Sequence, residues 1–137
     1  MKSNRTEVLI VGSVDEDEAT WRHLLEPCPG TAHRVPGCRE ALSFLHGHLV
    51  PVVICERDLP DGSWRDVLEP LAARGDPPAV IVTSRLADDH LWLEVLNAGG
   101  YDVWSKPLDR QEARRTLVQA RHHATLLGRA ARAGGTV

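Results

Sequence analysis

Four short strand-like runs in this chain end in residues that could carry chemistry. Val8–Val11 runs into Gly12-Ser13, Val52–Cys55 into Glu56, Ala79–Val82 into Thr83, and Asp102–Ser105 into Lys106. A carboxylate, a hydroxyl and an ammonium group donate or accept hydrogen bonds and carry charge, so together they could hold an ion or a charged ligand. Hydrophobic periodicity alone does not single these residues out. Their interest lies in their common position at the ends of runs.

Cysteine and histidine offer other chemistry and lead less far. Cys28, Cys38 and Cys55 cannot all pair, and none forms a C-x-x-C. Cys55 sits inside an apolar run, where a thiol behaves as a small buried hydrophobe. His46-Gly47-His48 and His122-His123 have no acidic or thiol cluster beside them, so they are expected on the surface and not around a metal.

A chain of 137 residues, 42% hydrophobic and 26% charged, suggests one globular domain with a real core. We expect the domain to fill residues 1–128, with 129–137 a frayed tail. No apolar run approaches the ~20 residues of a membrane span, and the N-terminus lacks the apolar stretch of a secretory signal. A cytoplasmic protein without a membrane partner is expected. The net charge of −3 is uneven: residues 106–137 hold seven Lys/Arg against two Asp/Glu. That basic segment has no Lys/Arg run and no interleaved aromatics. It is expected to be a solvated helix face, with no direct contact to nucleic acid.

The elements that must position these residues alternate. Strands are expected at Val8–Val11, Ala32–Val35, Val52–Cys55, Ala79–Thr83 and Asp102–Ser105. Helices are expected from Asp15, carrying Trp21, Leu24 and Leu25, then over Arg39–Leu45, Trp64–Ala73, Ala87–Ala98 and Asp109–Leu127. Asp15 with Glu18 resembles a capping box, and Gly99-Gly100 is a helix stop signal. Five alternations predict an α/β fold, a doubly wound five-stranded parallel sheet covered on both faces. Ligands bind such sheets beyond the C-terminal strand ends, which is where Gly12-Ser13, Glu56, Thr83 and Lys106 fall.

Three stretches carry a family resemblance over roughly residues 7–128. Leu59-Pro60-Asp61-Gly62 follows the central strand, Thr83 closes the fourth, and Ala98-Gly99-Gly100-Tyr101-Asp102-Val103-Trp104-Ser105-Lys106-Pro107 leads into the last helix. In this order and spacing the chain resembles a response regulator receiver domain of two-component signalling. The resemblance implies a flavodoxin-like (βα)5 fold with strand order 2-1-3-4-5. It also implies a phosphoacceptor aspartate at position 56, an acidic pair for magnesium after the first strand, a hydroxyl switch at Thr83, an aromatic switch at 103 and a lysine at 106.

The chain departs from that pattern where the chemistry is done. Position 56 is glutamate, the acidic-pair positions are Gly12 and Ser13, and position 103 is valine. Sliding the register to make Asp15-Glu16 the pair would misplace Trp21, Leu24 and Leu25, so Asp15–Glu18 reads as a helix start. Phosphoryl transfer needs a metal to neutralise the phosphoryl oxygens, and magnesium needs oxygen ligands. Magnesium binding is expected to be lost, with no cofactor in its place and no enzyme activity. Glu56, one methylene longer than aspartate, could reach Lys106 directly. Opposite charges at ~4 Å attract by ~4 kcal/mol at an effective dielectric of ~20, before desolvation. Such a pair is either a structural relic or an imitation of the phosphorylated state.

A partner surface is expected on the helix over 87–98, whose apolar residues Leu91, Trp92, Leu93, Val95, Leu96 and Ala98 spread over roughly 220°, wider than a core-facing stripe requires. In receivers the fourth helix, fifth strand and fifth helix form the usual dimer and effector face. Here that face would hold Leu91, Trp92, Trp104 and the arginines Arg110, Arg114 and Arg121. The partner would be a second copy, an effector protein or a histidine kinase. Three readings stay open: a phosphorylation-independent interaction module; a phosphorylatable receiver using Glu56 or a displaced acid; and the receiver part of a transcription regulator whose DNA-binding domain lies outside this chain.

Overall fold

The computed structural model describes residues 6–12, 31–75 and 77–134. Five parallel strands form one sheet: β1 (Thr6–Val11), β2 (Thr31–Val35), β3 (Val52–Glu56), β4 (Ala79–Ser84) and β5 (Asp102–Ser105). Their order is β2-β1-β3-β4-β5, the doubly wound order expected from the sequence. The helices are α1 (Cys38–Gly47), α2 (Trp64–Ala72), α3 (Asp89–Asn97) and α4 (Arg110–Gly134). The expected helix at Asp15–Glu18 with Trp21, Leu24 and Leu25 lies outside the described residues, as do Ser13 and Cys28.

Alternation along the strands sorts the core into two layers. Leu9, Val11, Val53, Cys55, Val80 and Val82 face α1, α2 and α3. Val8, Ile10, Val52, Ile54 and Ile81 face the other side, against Ala113, Leu117 and Ala120 of α4. Runs of β-branched residues with no polar alternation suit strands covered on both faces, and the central strands β1, β3 and β4 are built from them.

Local signals set the helix ends. Asp88 caps α3, its Oδ1 accepting from Leu91 N at 2.9 Å. The same helix ends on Gly99 at φ +102, with Gly100 N donating to Val95 O and Gly99 N to Leu96 O, the paired bonds of a Schellman stop. Ser63 and Asp66 form a capping box on α2 that the S-x-x-D spacing would have revealed. α4 passes through Gly128, where the sequence suggested a stop. One interior glycine costs ~1 kcal/mol against alanine, and the leucines, alanines and arginines around it favour helix. α4 begins after Pro107, where Asp109 makes the cap, accepting from Gln111 N and Glu112 N at 3.1 Å.

Candidate functional site

The C-terminal edge of the sheet gathers the residues singled out by the sequence. β3 and β4 pair Glu56 with Thr83, and β4 and β5 pair Thr83 with Trp104. The ladder continues past the strands: Arg57 N donates to Thr83 O at 2.9 Å and Lys106 N to Ser84 O at 3.0 Å. Main-chain bonds thus fix both residues that follow the strands. Lys106 Nζ then donates to Glu56 Oε2 at 2.5 Å. The two side chains are 7% and 17% exposed, so the ion pair is largely removed from water.

Gly12 closes the arrangement from β1. Val11 pairs with Cys55, so Gly12 follows on beside Glu56, and its N–H donates to Val35 O at 2.9 Å. Its φ is +119°, a conformation that L side chains rarely adopt. A Cβ there would stand 2.5 Å from Glu56 Oε1, 2.7 Å from Cγ and 2.8 Å from Cδ. The glutamate therefore lies across the glycine and fills the space a side chain at position 12 would use. The longer acid at 56 and the missing side chain at 12 fit each other. Thr83 is buried beside them, and Ser84 Oγ accepts from Leu86 N at 3.0 Å.

An open cleft of about 350 Å³ lies over this pair, with Arg57, Asp58 and Arg85 at its rim. Neither described thiol joins in the chemistry. Burial pushes the Cys38 thiol up to about 11, and burial raises Cys55 further still, so both stay protonated near neutrality.

The Leu59-Pro60-Asp61-Gly62 loop has a structural task that the sequence did not reveal. Asp58–Leu59 pairs antiparallel with Gly62–Ser63, and the turn carries Asp61 to the start of α1. There Oδ1 accepts from Cys38 N at 2.8 Å and Oδ2 from Arg39 N at 3.1 Å. The preceding Gly37 has no side chain to cap with, so Asp61, 23 positions beyond Cys38, caps the helix. The Cys38 and Arg39 amides hold the Asp61 carboxyl below its ordinary range. A depressed carboxylate contributes stability above its unfolded value of ~4 and loses it as pH falls through the folded value. Asp61→Asn is therefore expected to lower Tm at pH 7, and thermal melts from pH 7 to pH 3 should show the gap from wild type narrowing. A gap that stays constant to pH 3 would contradict the charged cap.

The expected partner surface is only partly where the sequence put it. Trp92 is 44% exposed and Leu93 52%. Leu91, at 5%, belongs to the core, because it points with Val95 under α3 toward the sheet. Trp104, at 6%, is also core: alternation along β5 turns its ring under α4, against Ala113 and Leu117. Val103 faces the opposite layer and packs half-buried against the core. Arg110, Arg114 and Arg121 do not line the groove beside β5, where α4 contributes Asp109, Glu112 and Ala113. At 100° per residue those arginines lie ~160° or more around the helix from Glu112.

No family model matches the sequence, and no curated protein matches it. Solved structures do. The signal receiver domain of an HD domain-containing protein from Pseudomonas fluorescens is 30% identical, with 88% of this chain and 90% of that one covered and a TM-score of 0.76. A two-component response regulator from Clostridium difficile is 21% identical over 87% of this chain and 97% of its own, at 0.71. The chemotaxis response regulator CheY4 of Vibrio cholerae, 15% identical over 85% and 98%, scores 0.72 and shares the fold. With its sheet order, its strand-end lysine and the 30% relative, the chain belongs to the response regulator receiver domains of two-component signalling.

Proposed function

We propose that this receiver domain signals without phosphorylation, as a cytoplasmic protein-interaction module and not as an enzyme. One observation carries the reading: the Glu56 carboxylate already sits on Lys106 and across Gly12. In the family, a phosphoryl group on position 56 would recruit that lysine, and a carboxylate at position 12 would help hold magnesium. The described residues do not fit magnesium. Gly12 offers no side-chain ligand, and Glu56 is already bonded to an ammonium group. Val103 supports the same reading, since valine has no ring to swing between inward and outward positions.

The experiment is a phosphorylation assay. Incubation with acetyl phosphate or beryllofluoride and magnesium is expected to leave the intact mass unchanged. Magnesium alone, titrated to low millimolar, should give no saturable shift in the amide resonances of Gly12, Glu56 and Lys106. A stoichiometric mass gain that Glu56→Gln abolishes would sink the proposal and favour a phosphorylatable receiver.

A further inference from the structure

A groove lies beside β5, apart from the Glu56 cleft, and its chemistry specifies an occupant. It encloses about 500 Å³ between the first turns of α3 and α4. Five carboxylates line it, from Asp88, Asp89, Asp102, Asp109 and Glu112, and among the described residues no lysine, arginine or histidine does. Three of the five are pinned by their own backbone. Asp88 accepts from Leu91 N, Asp109 from Gln111 N and Glu112 N, and Asp102 from Val103 N at 2.8 Å. The two helix N-termini contribute about +0.5 apiece, which leaves the groove strongly negative.

The groove is not only acidic. Trp92 forms part of its wall at 44% exposure, next to the exposed Leu93. Trp104 forms part of its floor, and the indole Nε1 has no acceptor among the described residues. An orphaned buried donor costs ~1–3 kcal/mol, so the residue at the floor of the groove has an unmet demand for an acceptor.

We propose that this groove binds a cationic amphipathic segment of a partner protein, with lysine or arginine against the carboxylates and aliphatic side chains against Trp92 and Leu93. The proposal rests on reading the chain as a phosphorylation-independent interaction module and names the partner's chemistry. Phosphate-bearing partners, nucleic acid or an anionic membrane, meet five like charges. A twofold dimer through this patch would set one five-carboxylate rim against another, since such an interface repeats the same surface on both copies. Arg110, Arg114 and Arg121, which could relieve that repulsion, do not line the groove.

The test uses the full chain and two designed 18-residue amphipathic peptides, one with lysine and arginine on its polar face and one with glutamate there. Calorimetry should show saturable binding of the cationic peptide alone, weakening with salt. The Trp92 and Trp104 indole resonances should shift. Asp89→Lys/Glu112→Lys, which spares both capping aspartates, should weaken binding at least tenfold. The control Glu40→Lys/Glu69→Lys, with the same net charge change elsewhere, should change it less than threefold. Trp92→Ala should also weaken binding while leaving Tm within a degree or two. Equal binding of both peptides, or equal loss in the control, would overturn the proposal. So would self-association in light scattering that the groove substitutions abolish, since the occupant would then be a second copy. A mass gain in the phosphodonor assay would defeat the earlier reading and leave these binding results standing.

Discussion

Gly12→Ala is expected to destabilise the domain by roughly 2–6 kcal/mol, far more than a small surface-loop substitution should. Two costs add. Holding a non-glycine residue at φ +119° stores ~1–3 kcal/mol of backbone strain. Forcing a Cβ into the Glu56 side chain adds ~1–3 kcal/mol of overpacking, since Cγ and Cδ as well as Oε1 are in the way and Lys106 holds the carboxylate in place. The costs separate in a double-mutant cycle with Glu56→Ala. Strain remains in that background, while the steric part disappears, giving a coupling of ~1–3 kcal/mol. Urea unfolding of wild type, both single variants and the double variant measures it. Additive effects would mean that Glu56 does not occupy the space over Gly12, and the principal support for phosphorylation independence would fall.

That reciprocity explains which parts of the molecule could be read from the sequence. The three central strands were legible because β-branched runs buried on both faces have few alternatives, and the observed bounds of the five strands match the expected ones or extend them by at most two residues. The end of α3 was legible because Gly99-Gly100 is a local stop signal. Glu56, Thr83 and Lys106 were found through their strand-end positions and the family resemblance, and the fold brings them together. Gly12 was legible only as a missing carboxylate. Its fit to Glu56 depends on the β1–β3 register and on its own φ, and neither is written locally.

The acidic groove was out of reach for a related reason. Its carboxylates come from three segments, and each has a sufficient local explanation as a helix cap, a first-turn acid or a strand-start residue. Helical periodicity gave α3 an arc too wide for the core, which was correct. It could not say that Leu91 turns inward while Trp92 and Leu93 stay out, because that depends on where the sheet lies. The arginines looked like a surface edge of α4 and are one, but periodicity alone did not say that the groove runs along the opposite flank.

Removing the ammonium group from the Glu56–Lys106 pair should show whether the pair is a relic or a working part. Lys106→Met keeps the length of the side chain and leaves the glutamate 17% exposed with its lysine partner gone. Breaking a buried pair on one side typically costs ~3–5 kcal/mol, because the remaining charge has lost both water and its partner. Replacing both residues with apolar ones, Glu56→Leu/Lys106→Met, removes that penalty and should bring stability back to within ~1–2 kcal/mol of wild type. A loss below ~1 kcal/mol in Lys106→Met would mark the pair as no stronger than a surface contact. The double variant carries the functional readout. Lys106 sits between Ser105 and Pro107, and Ser105, Pro107, Leu108 and Asp109 line the acidic groove. Without the ion pair, the turn keeps its Lys106 N to Ser84 O bond to the sheet edge but loses its side-chain tie to β3. If the pair stands in for a phosphorylated state, the double variant should fold normally, show shifted amide resonances from Ser105 to Asp109, and bind the cationic peptide several-fold more weakly. Unchanged resonances and unchanged affinity in a well-folded double variant would assign the pair to structure alone.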